Sequence, residues 1–189
     1  LWAYTPEEIA TIAGGQLLPG AGLAPQVTGF AFDTRALPAP EGACFLALRG
    51  ERRDGHAFAA QAYEAGVRCF LVARALPLPG AWQVVVPAPL AALQALACHH
   101  RGRFAAPVVG ITGSNGKTIV KEWLAALLDP PHHAHRSPRS YNSQLGLPLS
   151  VLGLQPTHTL GIVEAGISEA GEMARLAPLA APTLGLLTH

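Results

Sequence analysis

Lysine is almost absent from this sequence: among 189 residues only Lys117 and Lys121 occur, and arginine supplies the other basic side chains. Charge of either sign is scarce, at 13% of residues and a net +1, so nothing electrostatic draws the chain to nucleic acid or an anionic membrane. No apolar run approaches the roughly 20 residues that a membrane-spanning helix needs, and no secretory signal pattern opens the sequence. The expected compartment is the cytoplasm. Cysteine is sparse as well: Cys44, Cys69 and Cys98 are far apart and odd in number, each in an apolar setting. That excludes a disulfide framework and predicts buried, reduced thiols.

No cysteine or acidic partner stands at ligand spacing from His132, His133 and His135, which follow Pro130 and Pro131. The stretch reads as a solvated loop rather than a zinc site. His99 and His100 close an amphipathic helix, where they are expected to complement its dipole. Half the residues are hydrophobic, enough for a real core in one large domain or two small ones.

What the chain does contain is Val108-Val109-Gly110-Ile111-Thr112-Gly113-Ser114-Asn115-Gly116-Lys117-Thr118. A β-branched run enters a glycine-rich turn and leaves on Lys-Thr into Ile119-Val120-Lys121-Glu122-Trp123-Leu124, which reads as strand, loop and helix. Glycines let backbone N–H groups close around an anion, and the helix N-terminus adds its positive end. Lys117 then reaches the outer phosphates and the Thr118 hydroxyl holds magnesium. The generic phosphate loop has a glycine where this chain has Ile111; here Gly110, Gly113 and Gly116 recur every three residues. In a sequence that otherwise avoids lysine, one stands where a phosphate loop needs it.

Elsewhere, Thr5-Pro6-Glu7-Glu8 carries the signature of a helix start with a capping box. Ile9, Ile12 and Ala13 form the buried stripe, and Gly14-Gly15 ends it. A short strand through Phe30 and Phe32 runs into Asp33-Thr34-Arg35. A second, residues 43–48, leads to Arg49-Gly50-Glu51-Arg52-Arg53-Asp54-Gly55-His56. A helix over 57–65, strands at 67–72 and 83–86, and a helix with Leu90, Leu93, Leu96 and Ala97 on one face follow. Ala105-Ala106-Pro107 marks the boundary between domains 1–106 and 107–189. Beyond the phosphate loop, the polar stretch Ser137 to Gly146 suits a ligand-lining loop. Strands at 159–163 and 183–187 alternate with helices, as in a parallel sheet whose ligands gather at the strands' carboxyl ends. Glu164 falls at such an end, where an acidic side chain holds magnesium opposite Lys117. The fold class is α/β: a small N-terminal α/β domain followed by the start of a phosphate-loop, parallel-sheet ATPase domain. With three obvious strands there and an end directly after one of them, the chain is expected to be a piece of a longer protein.

These residues together resemble the Mur ligases, ATP-dependent amide ligases of peptidoglycan synthesis. The glycine spacing of the phosphate loop is that family's. Ser137-Pro138-Arg139-Ser140-Tyr141-Asn142-Ser143-Gln144 and Glu164-Ala165-Gly166-Ile167-Ser168 resemble its D-alanyl-D-alanine-adding branch. The resemblance implies ATP and Mg2+ as cofactors, with UDP-N-acetylmuramoyl-tripeptide and D-alanyl-D-alanine as substrates. In one form of that branch an alanine racemase is fused after the ligase. It implies that Gly113, Ser114, Asn115, Gly116, Lys117, Thr118 and Asn142 bind nucleotide. Lys117 and Glu164 would be catalytic, and Thr118 and Glu164 would serve the metal. Asp33, Thr34, Arg35, Arg53, Asp54, His56 and Ser140 would meet the UDP-linked substrate. Two other readings stand beside it: a non-catalytic UDP-sugar or nucleotide-binding module, and a sister ligase that adds a different amino acid.

Overall fold

The computed structural model describes residues 2–37, 39–50 and 53–189. Glu51 and Arg52, within the polar stretch after the second predicted strand, lie outside the described residues. The chain divides into two compact units, residues 1–95 and 96–189, each with its own sheet.

The first unit opens on α1 (Pro6–Ala13). Thr5 accepts from the Glu8 N–H while the Glu8 carboxylate accepts from the Thr5 N–H at 2.8 Å, so both orphan donors are satisfied reciprocally. Gly14 ends the helix in the left-handed conformation. Its buried face is Pro6, Ile9 and Ala10; Ile12 and Ala13, predicted for that stripe, are only half-buried. Then come β1 (Gln16–Leu18), β2 (Gly29–Ala31), β3 (Ala43–Leu46), α2 (Ala59–Glu64), β4 (Cys69–Val72) and β5 (Trp82–Val85). The sheet order is β1-β5-β4-β3-β2, parallel except for β1 against β5. β3 and β4 are buried on both faces, which is why they read as continuous apolar runs rather than alternating ones. Cys44 and Cys69 face each other across them, fully buried. The predicted helix over 57–65 is a 3-10 turn at Gly55–Phe58 running into the shorter α2.

The helix α3 (Pro89–Arg103) carries the chain from the first unit into the second. The boundary between the compact units falls within it, before Ala105-Ala106-Pro107. Its last turns belong to the second unit: Arg101 donates to the carbonyls of Ala180 (2.8 Å), Ala181 (2.7 Å) and Phe104 (2.8 Å). His100 is buried and its Nε2–H donates to the Leu154 carbonyl at 2.8 Å. Burial pushes its pKa down, so it packs as a neutral ring rather than complementing the dipole as predicted. Cys98 is exposed, not buried like the other two cysteines, because its side of α3 faces away from the packed stripe of Leu93, Leu96 and Ala97.

The second unit continues with β6 (Val108–Gly113), α4 (Lys117–Leu128), β7 (Ala134–Arg136), α5 (Gly146–Leu152), β8 (Leu160–Glu164), α6 (Glu172–Ala180) and β9 (Leu184–Thr188). Its sheet is fully parallel in the order β7-β8-β6-β9. The histidine stretch predicted as a solvated loop contributes β7. His135 is half-buried there, its Nε2–H on the Ser150 carbonyl at 2.7 Å, which ties this strand to α5. Among the described residues no helix is long and apolar enough to cross a membrane.

Candidate functional site

The parallel pairing of β6 with β8 puts Ile111 beside Glu164 in register, so the phosphate loop and the acidic strand end emerge side by side. Two glycines shape the loop. Gly113 has φ +134°, and a Cβ on it would meet the Thr188 carbonyl oxygen well inside contact distance. Gly116 has φ +76° and is the N-cap of α4. Both conformations favour glycine, and together they turn the chain from strand to helix in three residues. Ser114, Asn115 and Gly116 stand exposed at the rim. Lys117 lies over the loop, its ammonium donating to the carbonyls of Gly113 at 2.6 Å and Ser114 at 3.3 Å.

Thr118, in the first turn of α4, donates its hydroxyl to Glu164 Oε2 at 3.1 Å. Ser140 brings its hydroxyl to 3.5 Å from that of Thr118, and the Asn142 amide lies 3.5 Å from the same carboxylate oxygen. The fold therefore gathers Thr118, Ser140, Asn142 and Glu164 at one point, although Ser140 was expected with the UDP-linked substrate. Hydroxyl and carboxylate oxygens suit a hard cation. Glu164 is fully buried, and its Oε1, with no hydrogen bond, is left with an ion-pair contact alone. The hydroxyl of Thr118 and the buried carboxylate of Glu164 form a donor set that fits a magnesium ion. Among the described residues no cluster of three or more histidine, cysteine or acidic side chains forms an all-protein metal cage.

Three residues that sequence reasoning did not assign to the site complete it. Lys121 is entirely buried; its ammonium donates to the carbonyls of Ser137 at 2.7 Å and Arg139 at 2.5 Å and sits 3.1 Å from Glu164 Oε1. Ser137 is buried with its hydroxyl 2.6 Å from that of Ser150, and it accepts from the Glu164 N–H at 3.2 Å. Thr188 donates to the carbonyls of Thr112 at 3.2 Å and Asn115 at 2.5 Å, bracing the loop from β9. The available signal was Lys121 itself, one helical turn after Lys117 in a chain with no other lysine.

In the first unit the predicted substrate residues follow the carboxyl ends of β2 and β3. Arg35 pairs with Asp33 at 2.7 Å and remains largely exposed. The Arg35 guanidinium and N–H hold the Asp33 carboxyl down at a pKa of about 2. Thr34 donates to Gln61 of α2 at 2.8 Å, and Arg53 is exposed. His56 is buried with both ring nitrogens engaged, Nδ1 with Asp54 at 2.5 Å and Nε2 accepting the Ala73 N–H at 2.9 Å. That makes His56 a brace between the β3 and β4 ends, with no ring nitrogen left for substrate. The backbone and ring of His56 bring Asp54 to a pKa of about 2, and Arg74 lies 3.5 Å from the same carboxylate.

Residues 111–189 match the Mur ligase middle domain, and residues 27–101 match the Mur ligase family catalytic domain. The chain belongs to the Mur ligase family. A UDP-N-acetylmuramoyl-tripeptide–D-alanyl-D-alanine ligase of Synechocystis sp. is 40% identical over 168 residues, covering 87% of this chain and 36% of that protein. The structure of UDP-N-acetylmuramoylalanyl-D-glutamyl-2,6-diaminopimelate–D-alanyl-D-alanyl ligase from Acinetobacter baumannii superposes with a TM-score of 0.87 at 27% identity. That match covers 99% of this chain and 42% of the other. A MurF ligase from Thermotoga maritima in complex with ADP gives a TM-score of 0.69 at 31% identity over 82% of this chain and 35% of the other. The Mur ligase chain described here thus spans well under half the length of these relatives.

Proposed function

We propose that this chain forms the UDP-substrate domain, residues 1–106, and the opening of the ATP-binding domain, residues 107–189, of a Mur ligase. That ligase joins D-alanyl-D-alanine to UDP-N-acetylmuramoyl-tripeptide through an acyl phosphate. The observation that carries the reading is the meeting of Thr118 and Glu164 beside a lysine-bearing phosphate loop, within a family whose relatives bear that ligase name. The same names favour this branch over a sister ligase.

In this reading the amides of residues 113–118 and the Lys117 ammonium bind the polyphosphate, and Lys117 stabilises charge as the terminal phosphoryl group moves to the tripeptide carboxylate. Thr118 and Glu164 hold magnesium, which when bound neutralises phosphate charge. The amine of D-alanyl-D-alanine then attacks the acyl phosphate carbon and phosphate leaves. Arg35, exposed although paired with Asp33, and Arg53 would face the substrate diphosphate by charge-assisted hydrogen bonds. The cytoplasm, where ATP and UDP-linked precursors occur together, is the matching compartment. A fused alanine racemase belongs to the same reading, and the reading frame of the full-length protein tests it.

Calorimetric titration with UDP-N-acetylmuramoyl-tripeptide, and separately with ADP and Mg2+, tests the assignment. Saturable binding of both is expected. Binding of ADP with no response to the UDP-linked tripeptide or to UDP would remove the substrate-domain assignment and leave only a nucleotide site.

A further inference from the structure

We propose that Lys121 is a positioning residue of this site, holding the Glu164 carboxylate and the Ser137–Arg139 backbone so that Thr118 and Glu164 converge on one divalent cation. The inference rests on the nucleotide–magnesium reading above. An ammonium with no exposure is costly to desolvate, and such a group persists where partners surround it. Here they do: two carbonyls by hydrogen bonds, Glu164 Oε1 at 3.1 Å, and Glu122 Oε1 at 3.1 Å. The two Glu164 oxygens are divided between elements of the site, with Oε1 beside Lys121 and Oε2 beside Thr118. Both contacts start from α4, one turn apart, so the helix sets the carboxylate's orientation.

Lys121 also pins the loop. Arg139 has φ +49°, a conformation that costs a non-glycine residue strain, and its carbonyl is one of the two that Lys121 holds. The next residue is Ser140, whose hydroxyl approaches Thr118. Arginine, used in place of lysine everywhere outside α4, has a planar fork suited to parallel oxygens, whereas these oxygens converge on one point as a compact ammonium requires. The two lysines of α4 therefore divide the work: Lys117 serves the phosphates, and Lys121 serves the carboxylate and loop.

Titrating the chain with ADP in excess Mg2+ and again in EDTA gives a ratio of affinities that measures metal coupling. A wild-type ratio of about tenfold or more is expected. Lys121→Met is expected to bring it below about threefold while leaving affinity in EDTA within about threefold, because the loop amides and Lys117 remain. Glu122→Gln, which removes a half-exposed partner of Lys121 but no oxygen of the site, is expected to keep the wild-type ratio. If Lys121→Met does not fold by circular dichroism, Lys121→Gln is measured instead, since it keeps amide donors near the two carbonyls and lacks the charge. A full ratio in the folded variant, or an equal loss with and without metal, would overturn the positioning role. A wild-type chain whose ADP binding ignores Mg2+ would overturn the nucleotide–magnesium reading itself.

Discussion

At the residue scale the site depends on positions with almost no alternative. Gly113 has a left-handed φ and no space for a Cβ, because the Thr188 carbonyl occupies it. Gly113→Ala therefore has to displace β9 or open the loop. The expected cost is at least about 2 kcal/mol, from backbone strain together with the clash. ADP binding should be lost even where the variant still folds at low temperature. Urea denaturation and calorimetry check the two effects separately, and an alanine variant that binds ADP normally would contradict the loop geometry. That Lys117, Thr118 and Glu164 stand together was legible in the sequence, because a glycine-rich turn into a helix and an acidic strand end are local patterns. Lys121, Ser137 and Thr188 were not, because each acts through a contact with a distant segment that no local pattern announces. His56 erred the other way. The family resemblance of Asp54-Gly55-His56 implied a substrate contact, but both ring nitrogens are used inside the protein.

At the element scale, the long apolar runs and capped ends were readable. Thr5-Pro6-Glu7-Glu8 gave α1 by its capping box, and β3, β4, β6 and β8 follow from runs buried on both faces. β7 was missed because it is three residues long and rich in histidine, and its place comes from pairing with β8 and from the His135–Ser150 bond rather than from periodicity. That placement makes a pH prediction. Burial holds His135 down at a pKa of about 4, against 6.5 for an ordinary imidazole. Between those values the unfolded chain binds a proton that the folded one does not, so stability falls as pH falls from about 6.5 to 4, by about 2–3 kcal/mol in all. Urea midpoints at pH 7 and 4.5 should show it, and His135→Gln should lose that part of the difference; an unchanged slope would mean that the ring is not held neutral. The C-terminal end of α6 offers a second case. Arg101 supplies a cation and donors to its last carbonyls, and Arg101→Met is expected to destabilise the second unit by about 1–3 kcal/mol. ADP affinity should remain, because Arg101 binds carbonyls that precede β6 and β9 whereas the phosphate loop follows the carboxyl end of β6; a melting temperature equal to wild type would remove the capping role.

At the scale of the whole molecule, two sheets of different kind are joined through one helix, and each gathers its chemistry at the carboxyl ends of parallel strands. The first has a single antiparallel edge strand and offers arginines and ionised carboxylates; the second is fully parallel and offers a phosphate loop and a buried glutamate. The two sets of groups suit different ligands, so protection against backbone hydrogen exchange should separate by unit. UDP-N-acetylmuramoyl-tripeptide should slow exchange around the ends of β2, β3 and β4, and ADP with Mg2+ around residues 110–120 and 162–166. Arg35 is largely exposed and, among the described residues, is held by Asp33, so Arg35→Ala should weaken the UDP-linked ligand by about tenfold with no effect on ADP. The D-alanyl-D-alanine-adding reaction needs both ligands and a third substrate, and the chain spans well under half of the relatives that bear that ligase name. With ATP, Mg2+, the tripeptide nucleotide and D-alanyl-D-alanine all present, this chain alone is expected to bind two of the ligands and release no phosphate. Phosphate release dependent on all three substrates would show that these two units suffice for the chemistry, while ADP protection appearing at β3 and β4 would mean that the ligands have been assigned to the wrong units.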